Sequence, residues 1–165
     1  MFRGLKEVWG KLMARGYYQG EFRPKNPEKC INMRNGKKKA FARSSWETRM
    51  FTWCDLNDNV IEWGSEVLKV PYIFAVDQKL HNYIPDIWAR IKGKDGFVRT
   101  YLLEIKPHKQ TSMPKAPKNK TKKAVRNYNY AKIEYIKNKN KWEYARMFCE
   151  GKKWEFRILT ENELF

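Results

Sequence analysis

Residues 82–107, NYIPDIWARIKGKDGFVRTYLLEIKP, contain two strand-like runs separated by the turn signal KGKDG. The runs at 83–91 and 97–106 predict an antiparallel hairpin, which constrains the chain more than any other feature. Folding the runs about Asp95 sets Asp86 opposite Glu104, give or take one position, although directly opposed like charges destabilise a sheet. Strand alternation puts Glu104 and Lys106 on one face, with Leu103 and Ile105 on the other. Two carboxylates and an ammonium are thus expected at one strand end. A divalent cation between the carboxylates resolves their repulsion. Mg²⁺ suits such a place because it takes one or two carboxylates, waters and phosphate oxygens, and Mn²⁺ is expected to substitute. Lys106 would then orient or help deprotonate a water, or stabilise charge developing on a phosphate. Taken singly, E-x-K on a strand is ordinarily an exposed alternation and P-D a turn. The combination beside strong positive charge carries the expectation of a metal site.

That charge is +17 overall, and its distribution matters more than its size. Residues 1–43 carry twelve Lys/Arg against three Asp/Glu, and residues 106–141 carry twelve against one. The stretch between them, 44–105, is slightly acidic. Two basic blocks flanking an acidic middle point to a polyanion, since cations that neutralise phosphates release condensed counterions. The plainer alternative is a solubilising excess. The cations expected on DNA are Arg23, Lys25, Lys29, Lys37, Lys38, Lys39 and Arg43 in the first block. In the second they are Lys109, Lys115, Lys118, Lys120, Lys122 and Lys123.

Three cysteines without a CxxC pair, and only two histidines, argue against a zinc module and a disulfide framework and fit a reducing cytosol. No apolar run approaches the roughly 20 residues that span a bilayer. No membrane partner is expected.

Leu5, Val8, Trp9 and Leu12 fall at helical spacing, so residues 1–17 read as an amphipathic helical extension to a single domain over 18–165. GEFRPKNPEKC predicts an extended basic arm within 18–43. RSSWETRMFTWCDLND predicts a helix with a cap at its start. In it Glu47 stands three residues after Ser44, the spacing of a capping box. NVIEWGSEVLKVPYIFAV reads as strand broken at Gly64 and at Pro71. Residues 107–123 read as a mobile basic loop, and helix follows from about 121 in two pieces interrupted near KNKN, the second closed by Gly151. WEFRILT makes a last strand. The order helix, three strands, helices, strand predicts an α/β domain with a mixed sheet.

At IPD (84–86) and EIK (104–106) the chain resembles the PD-(D/E)XK nuclease superfamily, with Glu47 standing where that family carries an upstream acid. GEFRPKNPEKC, RSSWE, CDLNDNVIEWGSE, VPY, YIPD, EIKP, NKNKWEYARMFC and FRILTENEL follow the order seen in head-completion nucleases of tailed bacteriophages. Similar motifs run through the endonuclease subunit of some cut-and-paste transposons. Two positions depart from the pattern. Ile87 stands where an aromatic often follows PD, and Asn82 where a basic residue often precedes the tyrosine, with His81 beside it.

The resemblance implies a restriction-endonuclease-like core, a central mixed β-sheet flanked by helices. It also implies Mg²⁺-dependent phosphodiester hydrolysis of double-stranded DNA at its ends, as head packaging finishes. It makes Glu47, Asp86 and Glu104 metal-site acids, Lys106 the catalytic lysine and the Ile105 main-chain carbonyl a further metal ligand, with Glu47 acting directly or through water. Portal or neck proteins become the expected partners, and the host cytoplasm during assembly, or the virion, the expected place. Two other readings stand beside it: a DNA-binding virion protein with a vestigial site, and a transposase-type endonuclease subunit. His108 reads as a solvated loop histidine or an acid for the leaving oxygen. Tyr128, Tyr130 and Tyr135, at helical spacing, read as core or groove packing rather than base stacking.

Overall fold

The computed structural model describes residues 19–34 and 39–164. The predicted N-terminal helix, with Lys37 and Lys38, lies outside the described residues.

Four strands form the central sheet in the order β3 (Val60–Ser65), β6 (Ile87–Lys92), β7 (Val98–Ile105), β8 (Glu155–Leu159). The first three are antiparallel neighbours, and β8 runs parallel to β7, so the sheet is mixed. A parallel partner needs a long crossover, and α3 (Lys122–Lys152) provides it. Two two-stranded ribbons flank this sheet: β1 (Gly20–Glu21) with β2 (Phe41–Ala42), and β4 (Val70–Ile73) with β5 (Leu80–Tyr83). The short helices α1 (Ile31–Arg34) and α4 (Glu161–Leu164) and the longer α2 (Ser45–Leu56) complete the set. This is the expected α/β core, a central mixed sheet between helices.

Alternation along the strands builds two cores. Ile87, Ala89 and Ile91 of β6, with Tyr101, Leu103 and Ile105 of β7, face α2 and its Met50, Phe51, Trp53 and Cys54. On the opposite face, Leu102 packs with Ala145 and Cys149 of α3 and with Val70, Tyr72 and Tyr83 of the β4–β5 ribbon. Glu104, two residues on from Leu102, shares this second face.

The hairpin forms as predicted, with Ile87 opposite Leu103 and Lys92 opposite Val98. Its turn closes with Gly93 N donating to Phe97 O at 2.8 Å, and Gly96 sits at φ +81°, where a side chain would be strained. The helix at Ser45 also forms, with Ser44 as its cap.

Four expectations about strands and helices are corrected. Gly64 lies inside β3 and does not break it, because a Cβ there would stand 2.5 Å from Ile31 Cγ1; the glycine lets α1 close on the strand. Pro71 lies inside β4, tolerated because a two-stranded ribbon leaves each strand an open edge that asks for no donor. The predicted strand 83–91 is two elements, β5 ending at Tyr83 and β6 beginning at Ile87, with Pro85 and Asp86 in the bend between. Finally, α3 is one unbroken helix: Lys and Asn cost only tenths of a kcal/mol against Ala. Asn140 there accepts from Ala75 N at 3.1 Å, tying the helix to the β4–β5 ribbon. Gly151 lies within it, and the end comes at Lys153 in the left-handed region. Lys153 N donates to Glu150 O and Trp154 N to Cys149 O, which completes a Schellman motif.

The basic arm is docked rather than extended. Lys25 N and Asn26 N donate to the buried Asp55 carboxylate at 2.7 and 3.0 Å, and Asn26 Nδ2 donates to Asp55 O. Beyond the single 3₁₀ turn His108–Gln110, the basic loop has no regular structure before α3. All three cysteines are buried and free. No described helix is long and apolar enough to cross a membrane.

Candidate active site

At the open end of the hairpin the ladder stops at Ile87 and Leu103. One step further, Asp86 stands next to Glu104. Its side chain takes the place of a strand partner: Oδ2 accepts from Ile105 N at 2.7 Å. The Asp86 main chain is fixed from the other side, where its carbonyl accepts from Glu66 N at the end of β3. Glu104 is only 4% exposed. Its Oε2 accepts from Tyr83 Oη at 2.6 Å, and its Oε1 lies 3.2 Å from Lys106 Nζ. Lys106 is placed by the sheet, since its N–H donates to Leu159 O in β8. The structure thus gathers Asp86, Glu104 and Lys106 at one strand end, in the register expected of them.

Glu47 occupies the first turn of α2 and does the work of a cap. It accepts from Arg43 N at 2.9 Å and from Ser44 Oγ at 3.0 Å, while its own N–H donates to Ser44 Oγ. It also stands close enough to Asp86 and Lys106 for its charge to raise both their pKa values. The capping role and membership of the acidic group therefore coexist. Glu47→Gln, which keeps one acceptor oxygen, is expected to lower stability by less than the ~1 kcal/mol typical of losing a cap and to reduce cleavage less than Asp86→Asn does. Paired melts and rate measurements check this, and wild-type cleavage by Glu47→Gln would leave Glu47 a cap and nothing more.

Two site residues were not foreseen. Tyr83, at the end of β5, holds Glu104 through its hydroxyl. Lys141, on α3, places its Nζ over the Tyr83 ring at 5.7 Å and feels the charges of both Glu104 and Lys106. Tyr130, Glu134, Asn138 and Lys141 follow helical spacing, a polar stripe that an interrupted helix would have hidden.

Burial pushes the Asp86 pKa well above the ordinary carboxylate value, and the Glu104 carboxylate adds to it; the Ile105 N–H works against both. Burial alone would lower Lys106, but Glu104, Asp86 and Glu47 together win and hold it above the usual lysine value. Lys106 is therefore an ammonium here. Lys141 moves the other way: its burial outweighs the pull of Glu104, and its pKa falls.

The expected DNA contacts divide into two groups. Lys109, Lys115, Lys118, Lys120, Lys122 and Lys123 are exposed, and no ion pair engages any of them among the described residues. Arg23 and Lys25 are exposed as well. Lys29 instead donates to Asp55 O and Asn57 O at the end of α2. Lys39 pairs with Glu21 and Arg43 with Glu66. His81 faces Asp77 at 2.9 Å, and His108 is exposed.

A carboxylate pair at the strand ends, with a charged lysine just beyond β7, is the arrangement expected of PD-(D/E)XK nucleases, and comparison with known proteins agrees. Residues 57–161 match the family described as TnsA-like endonuclease N terminal. The chain belongs to that family. Asp86, Glu104 and Lys106 all lie within the stretch that matches the TnsA-like domain, and Glu47 precedes it. The chain is also 36% identical over 147 residues to the head completion nuclease of Enterobacteria phage T4, a match covering 89% of this chain and 93% of that protein.

Proposed function

We propose that the chain is a divalent-metal-dependent deoxyribonuclease, using Mg²⁺ or Mn²⁺, that processes DNA ends as phage heads are completed. The observation that carries this reading is the convergence of Asp86, Glu104 and Lys106 at the open end of the β6–β7 hairpin. Among the described residues, no three carboxylate, imidazole or thiol side chains form a ready-made cage. The donor set proposed is Asp86, Glu104 and the Ile105 carbonyl, with Glu47 near enough to act through water. All are hard oxygens; burial first and then repulsion from Glu104 raise the Asp86 pKa, and the repulsion is the part a hard divalent cation relieves.

Such an ion supplies charge neutralisation for a phosphodiester and activation of a water. The remaining work falls to the chain. Tyr83 and Asp86's bond to Ile105 N fix the two carboxylates, so little reorganisation is needed on binding. The carboxylates that keep Lys106 protonated are the ones that would take the ion. Neutralising them would remove that upward pull and leave burial acting downward on the Lys106 pKa. Lys141, over the Tyr83 ring and within reach of the Glu104 charge, adds positive charge that would draw in an anionic substrate.

Likeness to a head completion nuclease suggests portal or neck proteins as neighbours and the host cytoplasm or virion as the place of action. The match to a TnsA-like domain supports a second reading, an endonuclease subunit that cuts only with partners. Incubating the purified protein with linear and closed circular plasmid, in Mg²⁺ or EDTA, separates the readings. Loss of linear DNA alone, in metal only, is the expected result; nicked circles would indicate an endonuclease. Inertness in every metal would leave a DNA-binding protein with a vestigial site, or a subunit awaiting its partner.

The unpaired lysines of the basic loop give a second check. Log affinity for DNA should fall linearly with log salt, at about −0.9 per phosphate neutralised. Lys118→Gln, Lys120→Gln and Lys122→Gln together are expected to flatten that slope by about 2–3. Losses should be similar for unrelated sequences, and a loss confined to one sequence would mean base readout instead.

A further inference from the structure

Beside the catalytic lysine lies a recess of about 410 Å³. It opens between the loop after β7 and the first half of α3. Lys106 and Lys141 belong to both the recess and the active site, and Lys109, Tyr130, Tyr135 and Asn138 are among the residues that line the rest. Two properties of this lining are unusual for a helix surface. Tyr130 is 69% exposed, although it sits at helical spacing from residues that reach the sheet, so packing does not account for it. Lys106, Lys109 and Lys141 bring three positive charges to it. Glu134, also in the lining, is near enough to Lys141 for its charge to act on it, and offers an acceptor to amino groups.

A recess this size matches sites for one small molecule, roughly 300–1,000 Å³, and is far too small for a duplex. The group it suits is anionic at one end and flat at the other, with donors and acceptors on its rim. A nucleotide has that shape: its phosphate suits Lys106, Lys109 and Lys141, and its base suits tyrosine faces and the Asn138 amide. We propose that the recess receives one unpaired nucleotide next to the phosphate to be cut, so that the substrate is a DNA end whose strands have opened. This rests on the nuclease reading for its position in the reaction, though binding to the recess does not depend on cleavage.

Fluorescence anisotropy in EDTA with a short labelled oligothymidylate reads the recess directly. Tyr130→Ala removes an exposed ring, and Tyr135→Leu keeps apolar bulk while removing the stacking face. Each is expected to weaken single-strand binding about tenfold. Melting temperature and binding to relaxed closed circles should stay at wild-type values. Any other pattern overturns the assignment: equal loss on both DNAs makes the tyrosines part of a general DNA surface, and no loss on either leaves the recess without this ligand. With Mg²⁺, a linear duplex bearing an unpaired tail should be cut faster than a blunt one, and both variants should erase the difference. Tyrosine-dependent binding in a protein that cuts no DNA would defeat the reading of this chain as a nuclease acting alone and keep the recess. Normal cleavage with tyrosine-independent binding would do the reverse.

Discussion

Replacing Lys106 with alanine is expected to lower DNA cleavage by about 10²–10⁴-fold while leaving the fold in place, the range observed for loss of a positioned proton-transfer or charge-stabilising group. The fold should survive because the structural part of Lys106 is its main chain, which donates to Leu159 O across the β7–β8 pair. Alanine keeps that bond. The side chain's partner is Glu104, which after the change keeps, among the described residues, the Tyr83 hydroxyl as its hydrogen-bond donor. Losing a charge-assisted bond to a buried carboxylate costs about 1–3 kcal/mol, so a lower melting temperature with native circular dichroism is part of the expectation. Lys106→Arg separates charge from chemistry: it restores a cation beside Glu104 but cannot give up its proton. Stability recovered without cleavage would assign Lys106 a proton-transfer role. Cleavage recovered in step with stability would assign it a purely electrostatic one. Near-wild-type rates from Lys106→Ala would remove the lysine from the reaction altogether.

The hairpin and its charged end were legible because register is written in local alternation. Ile87, Ala89 and Ile91 against Leu103 and Ile105 allow one pairing that buries them all, and that pairing places Asp86 beside Glu104. The start of α2 was legible for a similar reason, a cap and its partner lying three residues apart. What escaped depends on contacts between distant parts of the chain. Asp55 organises the basic arm by accepting from Lys25 and Asn26, a pairing that composition disguises as a free cationic segment. Tyr83 reaches Glu104 only because a bend at Pro85 folds β5 away from β6 and under the second core. Lys141 was hidden by the supposed break at KNKN. Only the two asparagines there have weak helix preferences, a cost of tenths of a kcal/mol that the packing of Trp142, Ala145 and Cys149 overrides. The acids and the lysine were thus readable as a motif, whereas the residues that hold and surround them were not.

Asp86→Asn is expected to do the opposite of an ordinary buried-acid substitution: without metal, the variant should melt at or above the wild type. In the folded protein, burial and the Glu104 carboxylate raise the Asp86 pKa well above its usual value. Folding therefore favours the protonated acid. This contribution is fully present below the unfolded pKa of about 4 and is lost as pH climbs through the interval up to the raised folded value. At neutral pH the metal-free wild type carries that loss, while asparagine does not titrate and keeps an oxygen to accept from Ile105 N. The gap between the two proteins in EDTA should close as pH falls toward 4. Added Mg²⁺ or Mn²⁺ reverses the order. An ion that binds only the assembled site stabilises by linkage, about 2.7 kcal/mol at a hundredfold excess over its dissociation constant, so the wild type should climb with metal while Asp86→Asn stays nearly flat. Melts of both proteins across pH in EDTA, and in graded metal at neutral pH, measure the two effects separately. A clearly destabilised Asp86→Asn that still answers to metal would make Asp86 a structural acceptor for the β7 main chain and move the ion elsewhere. A raised melting temperature with the metal response lost would mean that this corner of the fold gives up stability to keep two carboxylates where a cation and a phosphate can use them.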